Sequence, residues 1–257
     1  MSVGASIARP DYIGKRKDED MFSFDRRTLY IILGAMLLMN VILGGRSIES
    51  IIYALPGVVV AMTFHEFAHA WVATKLGDDT PRLQGRLNLN PMSHIDPIGI
   101  VCLALLGFGW GKPVQINPRN FDGKYSLSKA EAMVAVAGPV MNFIIAFIFL
   151  IIYAVFGLTV TTITHTTRII SSIIVSIISV NLGLGVFNLI PIYPLDGSKV
   201  LNHFLPYRAR EWMINNQFIL TIIVFFIVFY TNIISYISTY ILTGMMWLVD
   251  WIFGLFI

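Results

Sequence analysis

Residues 53–75 read Tyr53-Ala54-Leu55-Pro56-Gly57-Val58-Val59-Val60-Ala61-Met62-Thr63-Phe64-His65-Glu66-Phe67-Ala68-His69-Ala70-Trp71-Val72-Ala73-Thr74-Lys75. This is an apolar run of membrane-spanning length, and it carries H-E-x-x-H in its interior. Two histidines four positions apart lie on one face of a helix, so both imidazoles can bind one Zn²⁺. The intervening Glu66 lies close enough to act as general base on the metal's water. Three fixed positions are a weak signal in isolation. Their setting strengthens it, because an ionisable group at membrane depth costs roughly 2.5–3.5 kcal/mol on insertion scales and marks a functional site.

Outside this run the composition has the same character. The chain is 56% hydrophobic and 13% charged, with a mean hydropathy of +0.74. Soluble domains average about 25% charged residues, so the chain is expected to be a polytopic membrane protein embedded in a lipid bilayer. A single cysteine, Cys102, excludes an internal disulfide and a cysteine-rich metal site. It sits in an apolar run and reads as a buried, inert thiol. The net charge of +3 is spread over loops and makes no case for nucleic acid.

Residues 1–28 are polar and of mixed charge, and they read as a cytoplasmic leader ahead of a single membrane domain, 29–257. Apolar segments occur at 29–43, about 51–75, 98–110, 130–157, 169–191, 214–231 and 233–257. All but 98–110 suit spanning helices, although 29–43 is short. The run 98–110 is too short to span. If it does not cross, sixteen of the eighteen Lys and Arg share one side, in 1–28, 75–129 and 199–210. If it crosses, that asymmetry collapses. The positive-inside rule therefore predicts six spans, both termini in the cytoplasm, and a re-entrant hairpin at 98–110.

The region 75–129 is less apolar. Leu83-Gln84-Gly85-Arg86-Leu87-Asn88-Leu89-Asn90 alternates apolar and polar residues, the signature of a half-buried strand. Lys112-Pro113-Val114-Gln115-Ile116-Asn117-Pro118 reads as a second short strand able to pair with it. A small β element with a free edge is expected at the membrane surface.

Zinc in a hydrolytic site takes three protein ligands and keeps one position open. His94, His165 and His203 lie in a turn, an external loop and near the cytoplasmic surface, where solvation or a structural role is the simpler account. Asp196 differs. It follows an apolar helix in Asn188-Leu189-Ile190-Pro191-Ile192-Tyr193-Pro194-Leu195-Asp196-Gly197, where two prolines break the helix and expose carbonyls. At 1.5 Å per residue, the extended segment beyond Asn188 can return Asp196 to the depth of His65 and His69. A competing account makes Asp196 the cap of a new helix near Ser198. Asn142, in Gly138-Pro139-Val140-Met141-Asn142, reaches a similar depth and suits either catalysis or an interhelical hydrogen bond. Gly138-Pro139 permits close backbone approach and frees a carbonyl.

Taken together, these motifs resemble the site-2 protease family of intramembrane zinc metalloproteases. His65-Glu66-Phe67-Ala68-His69 pairs with the Asn188–Gly197 sequence. Gly85-Arg86-Leu87-Asn88-Leu89-Asn90-Pro91, His94-Ile95-Asp96-Pro97-Ile98-Gly99 and Gly109-Trp110-Gly111-Lys112-Pro113-Val114 are similar to the compact bacterial and archaeal branch. The resemblance covers about 51–205. It implies His65, His69 and Asp196 as ligands of one Zn²⁺ per chain, Glu66 as catalytic acid/base, and Asn188 as the residue that steadies the oxyanion. PDZ and CBS modules of other branches are absent, and Gly111 stands where Ala is expected.

The expected fold is therefore all-α and polytopic, with about six transmembrane helices, a re-entrant segment and a small membrane-edge β element. The expected activity is hydrolysis of peptide bonds within or near transmembrane segments of membrane-protein substrates in the cell membrane. Such a substrate must unwind locally, and the free strand edge is the expected partner for it. A transporter or channel with a broken-helix polar site is the alternative. The sequence lacks the two matched broken helices that such a site requires. An inactive relative is disfavoured because every expected catalytic residue is present.

Overall fold

The structure is a computed structural model that describes residues 48–96, 98–99 and 110–254, all within one compact unit, Gly45–Ile257. The leader 1–28, the apolar run 29–43, Cys102 and the interior of 98–110 lie outside the described residues. Among the described residues the helices run α1 Ile48–Lys75, α2 Thr80–Leu83, α3 Pro91–His94, α4 Leu127–Thr159, α5 His165–Asn188, α6 Asp196–Phe204, α7 Tyr207–Asn215, α8 Gln217–Thr231 and α9 Ile233–Gly254. A 3-10 turn at Pro118–Asn120 lies between α3 and α4.

Helices α1, α4, α5 and α9 are long and apolar enough to cross a membrane. The pair α7 and α8, taken to Val228, qualifies as one broken span, bent by 75°. The described residues thus supply four or five spans.

Packing centres on α1, α4 and α5, with α6 against α4. Helices in lipid gain no hydrophobic drive toward one another, so they associate through close contact of small residues. Ala61, Ala70 and Ala73 of α1 and Ala135 and Ala146 of α4 are fully buried. A Cβ at Gly57 would lie 2.9 Å from the Ser176 carbonyl oxygen, so this glycine sets how closely α1 approaches α5. Outward-facing Ile144, Ile148 and Ile152 of α4 are left for the hydrocarbon.

The expected strand at Leu83–Asn90 is not formed. Pro81 starts the helical turn α2, Gly85 takes a left-handed φ of +66°, and Arg86 N–H bonds back to the Pro81 carbonyl at 2.8 Å. The polar residues that gave the alternation act as local caps. Asn88 donates to the Gly85 carbonyl, and Asn90 accepts from Met92 N–H at 3.1 Å to cap α3. Asx-type bonds of this kind compete directly with a sheet ladder. Residues 112–117 form no β ladder among the described residues; Lys112 N–H donates to the His94 carbonyl at 2.8 Å. The β pairing among the described residues is one isolated antiparallel bridge, Ile95 with Gly111.

Candidate metal centre

The spacing of H-E-x-x-H on α1 turns His65 and His69 into one buried face, their rings 4.6 Å apart and nearly perpendicular. Each ring is fixed by its far nitrogen. Val134 O can only accept, so His69 Nδ1, 2.7 Å away, carries the hydrogen. Asn142 donates its Nδ2 to the Ala61 carbonyl at 3.1 Å and to Asn181 Oδ1 at 2.9 Å. Its Oδ1 therefore faces His65 Nδ1, at 2.7 Å, as an acceptor. Both Nε2 lone pairs then point inward, the arrangement that orients metal-binding imidazoles.

Pro139 lies inside α4 and lacks the N–H that would bond Ala135 O, one residue beyond the Val134 carbonyl that accepts from His69. Gly138 is equally specific to its place. A Cβ there would lie 2.5 Å from His69 Nε2 and 2.7 Å from His65 Nε2, so only glycine lets α4 pass this close to the pair.

The third group comes from the break after α5. Pro191 and Pro194 cannot continue that helix, and the chain folds back through Ile192 N–H to Ile190 O and Leu195 N–H to Ile192 O, both 2.8 Å. Ile192 and Leu195 are buried. A Cβ at Gly197 would overlap the carbonyls of Leu189 and Ile190. Asp196 opens α6 without making a side-chain cap bond. Its Oδ2 instead lies 3.2 Å from His65 Nε2 and 3.2 Å from His69 Nε2, while the two Nε2 atoms are 3.0 Å apart.

These three atoms form a nearly equilateral triangle. A tetrahedral zinc with bonds of about 2.0–2.1 Å separates its ligand atoms by about 3.3 Å, so the triangle fits that ion. Two lone pairs and a carboxylate oxygen converging so closely repel one another unless a cation sits between them. The donor set of two imidazoles and one carboxylate suits zinc. Among the described residues, this is the group of His, Cys, Asp and Glu side chains placed to share a metal.

Glu66 is half-buried, and its Oε2 accepts the Val114 N–H at 3.0 Å. A Cβ at Gly111 would lie 3.8 Å from Glu66 Oε1, so the bridge residue also lies close to the carboxylate. Asn188 is placed differently. Its Nδ2 donates to the Leu184 carbonyl of its own helix at 3.1 Å, and no hydrogen bond draws it to the triangle.

The other histidines stand apart. His94 is fully buried, not solvated, with Nε2 2.8 Å from the Asn88 carbonyl oxygen. His203 Nδ1 is 3.1 Å from Ser128 Oγ, and His165 begins α5. Asn181, the outer partner of Asn142, was not singled out in the sequence. Its one signal is an amide in the middle of an apolar helix. The Val134 carbonyl and the Val114 N–H leave no side-chain signature.

Sequence comparison with known proteins gives the family. The profile of Peptidase family M50 matches residues 53–231. YwhC of Bacillus subtilis, named as a zinc metalloprotease, is 38% identical over 188 residues, covering 72% of this chain and 83% of its own. Rip2 of Mycobacterium tuberculosis, similarly named, is 25% identical over 199 residues, covering 69% and 70%. The zinc metalloprotease MJ0392 of Methanocaldococcus jannaschii is 26% identical over 179 residues, 69% of this chain and 39% of that longer protein. No solved structure gives a significant match. With most of the chain matched and the family's metal chemistry assembled between its helices, this protein belongs to peptidase family M50, the site-2 type of membrane-embedded zinc metalloprotease.

Proposed function

We propose that His65, His69 and Asp196 hold one zinc ion, that Glu66 is the general base and acid of peptide hydrolysis, and that Asn188 steadies the transition-state oxyanion. The observation that carries the metal assignment is the closed triangle of Nε2, Nε2 and Oδ2 at 3.0–3.2 Å, with both Nδ1 positions already bonded. When bound, zinc supplies a Lewis acid for the scissile carbonyl and lowers the pKa of a water toward about 7. Glu66 takes the attacking water's proton and returns it to the leaving amine. Comparing membrane-protein fragments in cells carrying wild type or Glu66→Gln tests this reading, and identical fragment sets would overturn it. The transporter alternative gains no support, since the relatives named above all carry metalloprotease names.

The Asn188 amide nitrogen carries two N–H donors, of which the Leu184 carbonyl takes one and the other is left for an oxyanion. Asn188→Ala should then lower turnover by roughly 10²–10³, the usual loss for one oxyanion donor. A change of only a few-fold in a single-turnover assay reassigns it to holding the end of α5.

The substrate is a transmembrane segment that unwinds to expose its carbonyls, since a helix keeps them in intrachain bonds. With no strand at Leu83–Asn90, the receiving edge shifts to Lys112–Asn117. Among the described residues, the N–H groups of Gln115 and Ile116 have no protein partner there.

For topology we propose six spans, with 29–43 as the first, and both termini in the cytoplasm. The Ile95–Gly111 bridge supports a non-crossing 98–110, because it brings both flanks of that run to one place. The side chains of Gln84 and Gln115 also meet at 2.8 Å. In a Cys102→Ser background, Gln84→Cys and Lys124→Cys should both react with an impermeant thiol reagent only from the cytoplasmic side. Labelling of Lys124→Cys from outside would mean that 98–110 spans.

A further inference from the structure

Glu66 differs from the two histidines in how it is held. His65 and His69 are fixed by groups of the helix α4, whereas Glu66 is fixed by a loop through the Val114 N–H. That loop is tied down at both ends. At one end Lys112 N–H donates to the His94 carbonyl at 2.8 Å, beside the Ile95–Gly111 bridge. At the other, Asn117 N–H donates to Asp78 Oδ2 at 2.7 Å.

Asp78 is fully buried, yet among the described residues it pairs with no cation. Its Oδ1 accepts from Asn120 Nδ2 at 2.9 Å, from Thr80 N–H at 3.1 Å and from the Thr80 hydroxyl at 2.5 Å. Burial pushes its carboxyl up, but the bonds from Thr80, Asn117 and Asn120 outweigh this and hold it below the usual carboxylate range. The neighbouring Asp79 makes an exposed ion pair with Arg82, the ordinary use of such a residue. Asp78 follows the end of α1, the helix that carries Glu66. The path from α1 to Asp78, Asn117, Val114 and back to Glu66 is therefore a closed ring.

We propose that Asp78 is a positioning residue for Glu66: by anchoring Asn117 it holds the extended segment so that Val114 N–H fixes the carboxylate over the site. A buried anion satisfied by donors from two segments resists displacement, because any shift leaves charge unpaired. General-base transfer depends on hydrogen-bond geometry, so a small rotation of Glu66 slows the chemical step. The inference rests on Glu66 being the base.

The test is a double-mutant cycle on full-length protein in detergent, with a transmembrane peptide as substrate. Asp78→Asn keeps the shape and replaces one acceptor by a donor. Its kcat at saturating substrate should fall roughly 10–100-fold, the scale for a misplaced catalytic group, with zinc still near one per chain; any disturbance of the substrate-receiving edge in the same segment falls in KM and not in this readout. Val114→Pro removes the N–H from a backbone that is already extended after Pro113. In that background Asp78→Asn should cost less than about three-fold, since its only route to Glu66 is already cut. Asn120→Ala, a milder cut on the loop side, should lower kcat less and should also lose its effect beside Val114→Pro. It serves where Asp78→Asn does not fold. Multiplying losses in the double variants, or zinc lost in step with kcat, would overturn the proposal. Glu66→Gln, run in parallel, separates the two ideas. If it is inactive and the cycle multiplies, only the role of Asp78 falls. If it retains turnover, the base assignment falls and the role of Asp78 with it.

Discussion

Glu66→Gln is expected to abolish hydrolysis while leaving zinc and fold in place. Gln is nearly isosteric with Glu, and its amide oxygen can still accept the Val114 N–H that holds Oε2 at 3.0 Å. What it lacks is basicity, so the attacking water keeps its proton. Positioned acid–base groups contribute roughly 10²–10⁴-fold, and Glu66 serves two proton transfers in one turnover, so the loss should sit at the upper end. The change should appear in kcat, with KM for a membrane substrate little altered. Metal analysis and thermal unfolding of the same preparation provide the control. Residual turnover within ten-fold of wild type would place the base elsewhere.

The second large effect concerns the metal. His65→Ala and Asp196→Ala should each lose most of the zinc, and activity with it. Each removes one corner of the triangle and leaves two protein ligands, fewer than catalytic zinc sites use. Asp196 is the more informative position, because it arrives from a different part of the chain than the histidines. Near-unit zinc in purified Asp196→Ala would show that a different group completes the site. Zinc loss in both variants, with helical content unchanged by circular dichroism, would fix the ligand set.

Much of this was legible in the sequence because the bilayer constrains what a chain can do. The four long helices found here fall on the predicted apolar runs, with ends shifted by a few residues where caps decide. Helix α5 starts at His165, not at 169, because Thr164 and Thr167 form a capping box. The alternation over 83–90 points to a strand that does not form, because period two does not distinguish a pleat from a string of short capped turns. Pro81, Gly85 and Asn88 carried the correct signal. The run 214–231 has the composition of a span, and the 75° bend between α7 and α8 at Asn216 is what composition does not announce.

By itself the sequence determined the chemistry: which groups can ligate zinc, which can move a proton, and that they sit among apolar helices. These follow from residue type and from the 3.6-residue helical period, which are local properties. Only the tertiary structure decided how the groups are aimed. It placed the Asn142 amide behind His65, against its Nδ1, and it turned Asp196 toward the imidazoles. It also set Val114 on Glu66, and it left the Asn188 amide on its own helix. Each of these contacts but the last joins residues far apart in the chain, several through a backbone N–H or carbonyl. Every residue type has those groups, so no pattern of side chains could announce which of them would be used.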